Sequence, residues 1–325
     1  MEQFPKDITL YILSYLSDKN KLIFLSINHF WNEFKKNIKF IKFYNYQKIV
    51  NLSYIDNFEA IYNYEPQQYL PKNIKKIKLS SNKQIIECFP EQIESIEFEK
   101  PYHHILDGKL PSKLKILKLY HSSLENIKCA LPNGLEHLEF GTYDWIDLDF
   151  FPESLKVLNM KFQHLIFPKK VRLPINLEKL KVKFKTNKPN DVWNLPNNLK
   201  ELDYNGRINK PLPIGLDSFT IYLHSIDENI KEYLPSKLKI LRLVDYIDFY
   251  DRHKWQTTYL QNVLDNLPIG LKYIEVVITK YSVTIPNLID ECDIPNFIKI
   301  DETKFPFPKF KNGLNCLYFM RETEV

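Results

Sequence analysis

Glycine and alanine are scarce in this chain: 325 residues carry 7 Gly and 2 Ala. That scarcity excludes glycine-dense architectures. Neither G-x-G-x-x-G nor G-x-x-x-x-G-K-[ST] occurs, so the two common loops that cradle phosphates are missing. The 4 cysteines, Cys88, Cys129, Cys292 and Cys316, stand apart from one another. No C-x-x-C pair offers a zinc or redox site, and no disulfide framework is expected. An excess of one charge is also lacking: 45 Lys and Arg face 40 Asp and Glu, a net charge of +5. Such a balance gives no footprint for nucleic acid. No apolar run reaches the roughly 18 residues of a membrane span, and Glu2, Lys6 and Asp7 interrupt any signal-peptide core. The expectation is a reduced, intracellular, cytoplasmic chain with neither a membrane nor a nucleic acid as partner.

Chemistry-bearing constellations are missing too. Of the 8 histidines, His103 and His104 are adjacent, and a turn rather than a metal site is the reading there. No nucleophile elbow or paired catalytic acid emerges. The expectation is no catalytic residue, no metal and no cofactor: not an enzyme.

What is abundant needs two explanations. Lys outnumbers Arg 40 to 5, and Tyr plus Phe reach 42. Lys, Asn, Ile, Phe and Tyr share A/T-rich codons, so base composition accounts for them. The same bias should deplete proline, yet there are 20. Half of these prolines fall in one recurring string, seen as LPKNIKKIKL from Leu70, LPSKLKILKL from Leu110 and LPNGLEHLEF from Leu131. The repeated prolines are 71, 90, 111, 132, 152, 174, 196, 213, 235 and 268, at spacings of 19, 21, 21, 20, 22, 22, 17, 22 and 33. A further copy from Phe310 has Lys311 in the proline slot, and a weak copy begins near Tyr54. In Leu114-x-x-Leu117-x-Leu119 the last two apolar residues are two apart and share one side of a strand. Proline cannot donate to a ladder, so it stands just before that strand. Gly134, Gly215, Gly270 and Gly313 share the slot before the central Leu, with Asn73, Asn176 and Asn198 in other copies; this is a turn position. A short strand every 20-odd residues leaves too little chain for a long helix. The units then stack in parallel to complete one another's cores.

Residues 1–45 lack the repeat. Ile8, Tyr11, Ile12, Tyr15 and Leu16 share one helical face, with Pro5 at its start. Ser17 or Asp18 caps a second helix and Asn28 a third. From the residues alone, this is a helical cap for the open end of the array. Residues 46–69 read as a linker or degenerate capping repeat, 70–301 as the solenoid and 302–325 as a C-terminal capping repeat. An insertion at 245–266 carries Tyr259, Leu260, Val263 and Leu264 at helical spacing.

The Leu/Phe-Pro-x-x-Leu-x-x-Leu-x-Leu/Phe unit, over residues 70 to 319, resembles the FNIP repeat, a relative of the leucine-rich repeat abundant in social amoebae and giant DNA viruses. The Asn that usually follows the leucine-rich strand is mostly missing, so no asparagine ladder is expected. Phe4-Pro5, Ile8, Ile12, Leu13, Ser14-Tyr15-Leu16, Leu22, Leu25 and Trp31 resemble an F-box, with Phe4 in place of the usual Leu. The resemblances imply an α+β repeat protein: a three-helix F-box-like segment, then a curved leucine-rich-repeat-like solenoid with a parallel sheet of short strands. They imply a Skp-type adaptor and a cullin ligase complex as partners, with Phe4, Pro5, Ile8, Leu13, Leu16 and Trp31 forming or supporting the adaptor surface. The solenoid would hold an unknown protein substrate, and the chain would be a monomer outside that complex, in the host cytoplasm if viral. The concave target-binding patch is expected at Tyr222, Ile240, Arg242, Val244, Tyr273 and Val277.

One more pattern comes from the residues themselves. The position after the central apolar residue reads Lys75, Glu94, Lys115, Glu136, Lys156, Glu178, Lys200, Asp217, Lys239, then Lys272, alternating in sign over nine copies. Parallel strands lie about 4.8 Å apart, so each charge neighbours two opposite ones. An exposed ion pair contributes only about 0–1 kcal/mol, so such a ladder sets register more than stability. Replacing Glu136 and Glu178 together by Lys is expected to lower the melting temperature in low salt; an unchanged value contradicts the ladder.

Overall fold

Each Pro-x-x-Leu string folds as a tight turn that feeds a strand. The turn closes when the N–H three residues on donates to the proline carbonyl, and all ten copies do this, from Ile74 on Pro71 at 3.2 Å to Leu271 on Pro268 at 3.1 Å. Proline suits the first position because only its carbonyl is needed there. The computed structural model describes residues 5–65, 68–79, 89–99, 110–119, 130–142, 151–162, 172–184, 194–222, 230–245, 268, 271, 273–279, 297–298 and 315–321. They fall in two units, Met1–Gly141 and Thr142–Val325.

The first unit holds six strands, β1 (Phe40–Asn45), β2 (Phe58–Tyr62), β3 (Lys76–Leu79), β4 (Ser95–Phe98), β5 (Ile116–Leu119) and β6 (His137–Thr142). Each pairs in parallel with the next in the chain. The second unit continues with β7 (Val157–Phe162), β8 (Lys179–Phe184), β9 (Glu201–Tyr204), β10 (Ser218–Tyr222), β11 (Ile240–Asp245) and β12 (Tyr273–Thr279), again parallel and in chain order. The last two strands, β13 (Phe297–Ile298) and β14 (Asn315–Arg321), swap places: β14 pairs in parallel with β12, and β13 lies antiparallel on β14. Each unit is thus a parallel β-solenoid.

Three apolar residues per repeat make the core. The turn-closing residue is fully buried in nine copies, for example Ile93, Leu135 and Leu199, and the strand pair is buried beside it, as in Leu138 with Phe140 and Leu202 with Tyr204. Register is held at the residue between turn and strand. The Lys75 carbonyl accepts the N–H groups of both Glu94 (2.8 Å) and Ser95 (3.0 Å); Glu94, Lys115, Lys156, Glu178, Lys200 and Asp217 repeat this double acceptance toward the following copy. The alternating charges occupy these same residues. Glu94 lies between Lys75 (3.9 Å) and Lys115 (3.3 Å), Lys200 pairs Glu178 (3.0 Å) and Lys239 pairs Asp217 (2.7 Å). The Lys200 ammonium holds the Glu178 carboxyl below the usual carboxylate range.

The array begins earlier than the sequence pattern suggested. β1 lies within the segment read as helical domain, and β2 within the segment read as linker or degenerate capping repeat, where the weak copy near Tyr54 stands. The Lys39–Glu59 (3.3 Å) and Glu59–Lys75 (3.9 Å) pairs extend the charge row back to them. Neither copy has the Leu-Pro string, which hid β1 and left β2 only weakly marked. The helical insertion beyond Asp245, and the terminal capping repeat outside β14, fall outside the described residues. A single buried Asn205, just after β9, takes the Phe184 N–H at its Oδ1 and donates from Nδ2 to the Phe184 carbonyl, both at 2.8 Å.

The turns themselves stack. Asn73, Asn176 and Asn198 donate from Nδ2 to the carbonyls of Asp56 (2.8 Å), Glu153 (2.9 Å) and Ile175 (3.1 Å) one turn earlier. Glu91 and Glu153 accept the backbone N–H of Ser112 (2.9 Å) and Ile175 (3.1 Å) one turn later. Gly134 sits in the Asn slot, and a Cβ there would lie 3.9 Å from the Ser112 carbonyl, an ordinary contact. Gly134→Asn is therefore expected to supply the missing bond. With the loss of glycine's unfolded-state entropy, this raises unfolding free energy by about 1–2 kcal/mol in a urea melt; Gly134→Ala should recover only the smaller, entropic part.

Candidate functional site

The helices at the N-terminus form from local capping. They are α1 (Lys6–Tyr15), α2 (Asp18–Leu25) and the short α3 (His29–Asn32). The Pro5 carbonyl accepts Thr9 N–H at 3.1 Å, Ser17 Oγ accepts Asn20 N–H at 3.3 Å, and Asn28 Oδ1 accepts Trp31 N–H at 3.0 Å. Leu13, Leu25, Phe34 and Ile38 are buried. Trp31 is half-buried, its ring 4.9 Å from both Phe24 and Phe30.

The Ile and Tyr face of α1 turns outward. Ile8, Tyr11, Ile12 and Tyr15 are 47%, 64%, 41% and 73% exposed, while Thr9 and Leu13 take the inner side. Tyr11 and Tyr15 stand one turn apart with hydroxyls 2.7 Å from each other. Ile23, Ile27 and Ile41 are exposed as well. Among the described residues, seven of the ten exposed large apolar ones lie in the first 41 positions. Of the residues expected to serve an adaptor, Pro5 and Ile8 are exposed, Leu16 and Trp31 are half-buried, and Leu13 belongs to the core. Phe4 lies outside the described residues. Tyr11, Ile12, Ile23 and Ile27 are exposed as well; helical spacing marked Tyr11 and Ile12, and only apolar character could have marked Ile23 and Ile27.

A buried charge fixes the helices to the sheet. Asp18, 1% exposed, opens α2 and accepts the N–H groups of Ile41 and Lys42, each at 2.8 Å, on its Oδ2. The β1–β2 register shifts between Phe40 and Phe43, so those two N–H groups lie where the ladder is irregular. Lys21, 7% exposed, donates to Asp18 Oδ1 (3.2 Å) and to the Lys39 carbonyl (3.0 Å). Burial, together with the charge and acceptor of Asp18, pushes the Tyr44 hydroxyl up to about 12.

The sheet face opposite the core carries further charge. Lys78, Glu97, Lys118 and Glu139 occupy matched positions on β3 to β6. In the second unit Lys181 pairs Asp203 at 2.9 Å. Register brings the expected target patch together: Tyr222 pairs Val244, which pairs Val277, and Ile240 pairs Tyr273. The patch is less open than expected. Tyr222 is only 4% exposed and its hydroxyl donates to Asp203 Oδ1 at 3.1 Å, while Ile240, Arg242 and Val244 are half-buried. Among the described residues no group of three or more His, Cys, Asp or Glu could hold a metal ion, and no helix is long and apolar enough to cross a membrane.

No protein-family model matches the chain. A comparison with characterised sequences is more informative. The chain is similar to a FNIP repeat protein. That relative, FNIP repeat-containing protein L415 of Acanthamoeba polyphaga mimivirus, is 30% identical over 183 residues, which cover 54% of this chain and 37% of the relative. The chain therefore spans little more than a third of the relative's length. Two solved structures share some likeness: CroV588, a circular leucine-rich-repeat protein (18% identity, TM-score 0.28, covering 74% of this chain and 50% of that one), and YopM from Yersinia enterocolitica WA-314 (17% identity, TM-score 0.32, covering 68% and 53%). The L415 match supports a repeat protein of the FNIP or leucine-rich kind.

The buried cluster generates a direct test. Asp18→Ala leaves Lys21 and two backbone N–H groups without their acceptor and is expected to cost about 3–5 kcal/mol, read by thermal or urea unfolding. A change below about 1 kcal/mol, the level of an exposed ion pair, contradicts the role given to Asp18.

Proposed function

We propose that this chain is a non-enzymatic protein-interaction scaffold, the substrate-recognition subunit of a cullin-type ubiquitin ligase. The helices dock a Skp-type adaptor and the solenoid holds a protein target. The observation that carries the reading is the outward apolar face of α1, since exposed Ile and Tyr in this density mark interaction surfaces more often than solvent-facing helices. The F-box-like residues support the ligase part from the sequence side, and the similarity to the mimivirus FNIP repeat protein supports the scaffold part alone. On this reading Ile8, Tyr11, Ile12 and Tyr15 contact the adaptor, with the exposed Pro5 beside them, and the F-box resemblance adds Phe4 to the contact. Leu13, Leu16 and Trp31 support the contacting side chains from behind. The target surface is the sheet face that includes Tyr222, Ile240, Arg242, Val244, Tyr273 and Val277. Action in the cytoplasm follows from the same proposal.

A second reading is favoured by the Asp18 cluster: the helices close the open end of the array, and the scaffold binds a protein with no ubiquitin chemistry. The two differ in what the outer face of α1 does. In titrations of the intact chain with a purified Skp-type adaptor, the first reading predicts saturable binding that Ile8→Asp with Ile12→Asp abolishes. The melting temperature of that variant should stay close to the original, because exposed substitutions usually change stability by no more than about 0.5 kcal/mol. Absence of adaptor binding by the intact chain leaves the cap reading.

A further inference from the structure

Two rows of alternating charge, not one, run through the first unit. The row between turn and strand passes from Lys39 to Glu59 (3.3 Å), Lys75 (3.9 Å), Glu94 (3.9 Å) and Lys115 (3.3 Å). Glu136 follows, its N–H on the Lys115 carbonyl at 2.9 Å. The row in the strand centres passes from Lys78 to Glu97 (3.2 Å) and on to Lys118 (3.4 Å), with Glu139 next in register. Both rows change sign at the same step. The repeat of β3 contributes Lys75 and Lys78, that of β4 Glu94 and Glu97, that of β5 Lys115 and Lys118, and that of β6 Glu136 and Glu139. Neighbouring repeats are therefore alike in core and opposite in charge, and a repeat matches only the next but one.

In the second unit one pair of neighbouring repeats shows the same reversal, with both signs in each repeat. Around β8 the charges are Glu178, Lys179 and Lys181; around β9 they are Lys200, Glu201 and Asp203. Every pair is in contact, at 3.0, 2.8 and 2.9 Å. Each of the three positions thus reverses its sign between these two repeats, while the strand centres on either side, Asn159 and Thr220, are neutral. A chance arrangement of solvated side chains has no reason to reverse all three together.

We infer that the stacking unit across β3 to β6 is a pair of repeats, a basic one with an acidic one. The core alone would accept any repeat against any other, because each offers the same Leu and Ile positions. Charge removes that freedom. Shifting the stack by one repeat, or losing one, sets lysine against lysine in both rows at once. Shifting or losing two restores every pair. The sheet face can consequently grow or shrink only in steps of two strands, about 10 Å at the usual strand spacing.

Three variants of the full chain test this. Removing residues 90–110, one repeat, joins Phe89 to Pro111 and places Lys75 beside Lys115 and Lys78 beside Lys118. Removing 90–131, two repeats, joins Phe89 to Pro132 and places Lys75 beside Glu136 and Lys78 beside Glu139. The third variant is the undeleted chain with Glu94→Lys and Glu97→Lys, which needs no new junction. Melting temperature is followed from low to high NaCl. The one-repeat deletion and the double substitution should both gain stability with salt, as screened repulsion requires, relative to the intact chain. The two-repeat deletion should follow the intact chain, although it has lost more core. Should the one-repeat deletion fail to fold in low salt, the double substitution decides. Equal salt responses of the two deletions, or no gain with salt in the double substitution, overturn the paired unit.

Discussion

Register in this molecule depends on one backbone arrangement. The residue between turn and strand gives its carbonyl to two successive N–H groups of the next repeat, and the proline turn just upstream fixes where that residue stands. Once this position is set, the other layers follow from period-two geometry. The next strand residues alternate between the core and the open face, the central leucine falls behind the turn, and the side chain at the register position points toward its counterparts above and below. Charge alternation there works because the backbone has already brought the groups within reach. The stacked turns add a second line of bonds through Asn and Glu. None of these contacts is strong alone, and burial of three apolar side chains per repeat supplies most of the stabilisation.

The N-terminal helices show the opposite economy, with a few costly groups concentrated at one place. Asp18 and Lys21 are charges removed from water, a configuration stable only while every partner is present. Their partners are the irregular start of β1 and the Lys39 carbonyl, so the helices and the first strands form a single arrangement. This anchoring uses α2. It leaves the isoleucines and tyrosines on the outer side of α1 exposed, which is why that side carries the functional proposal.

Much of the array was legible in the sequence because proline, leucine and charge repeat at nearly constant spacing. The ten turns, the strands that follow them and the ion pairs all stand where those residues put them. What stayed hidden lacked the repeat signature or depended on distant partners. β1 has no Leu-Pro string and is recognised only by pairing, while β2 showed only as the weak copy near Tyr54. The exposure of Ile8 and Tyr15 cannot be read from periodicity, since a helix with one apolar face is ordinarily taken to bury it. Tyr222 was read as surface, but its place between Asp203 and Val244 in neighbouring strands buries it. Asn205 stands two residues before the slot where a leucine-rich repeat keeps its asparagine, so spacing alone did not mark its bonds to Phe184.

The central claim is that the molecule has two separate duties for its helices: an inner face that fixes them to the sheet and an outer face that receives a partner. Hydrogen–deuterium exchange on the full chain, with and without a Skp-type adaptor, tests it most directly. The account predicts added protection across Lys6–Tyr15 on binding, with Phe40–Asn45 already protected in the free chain and unchanged. Protection confined to the sheet strands, or none at all in α1, would contradict it.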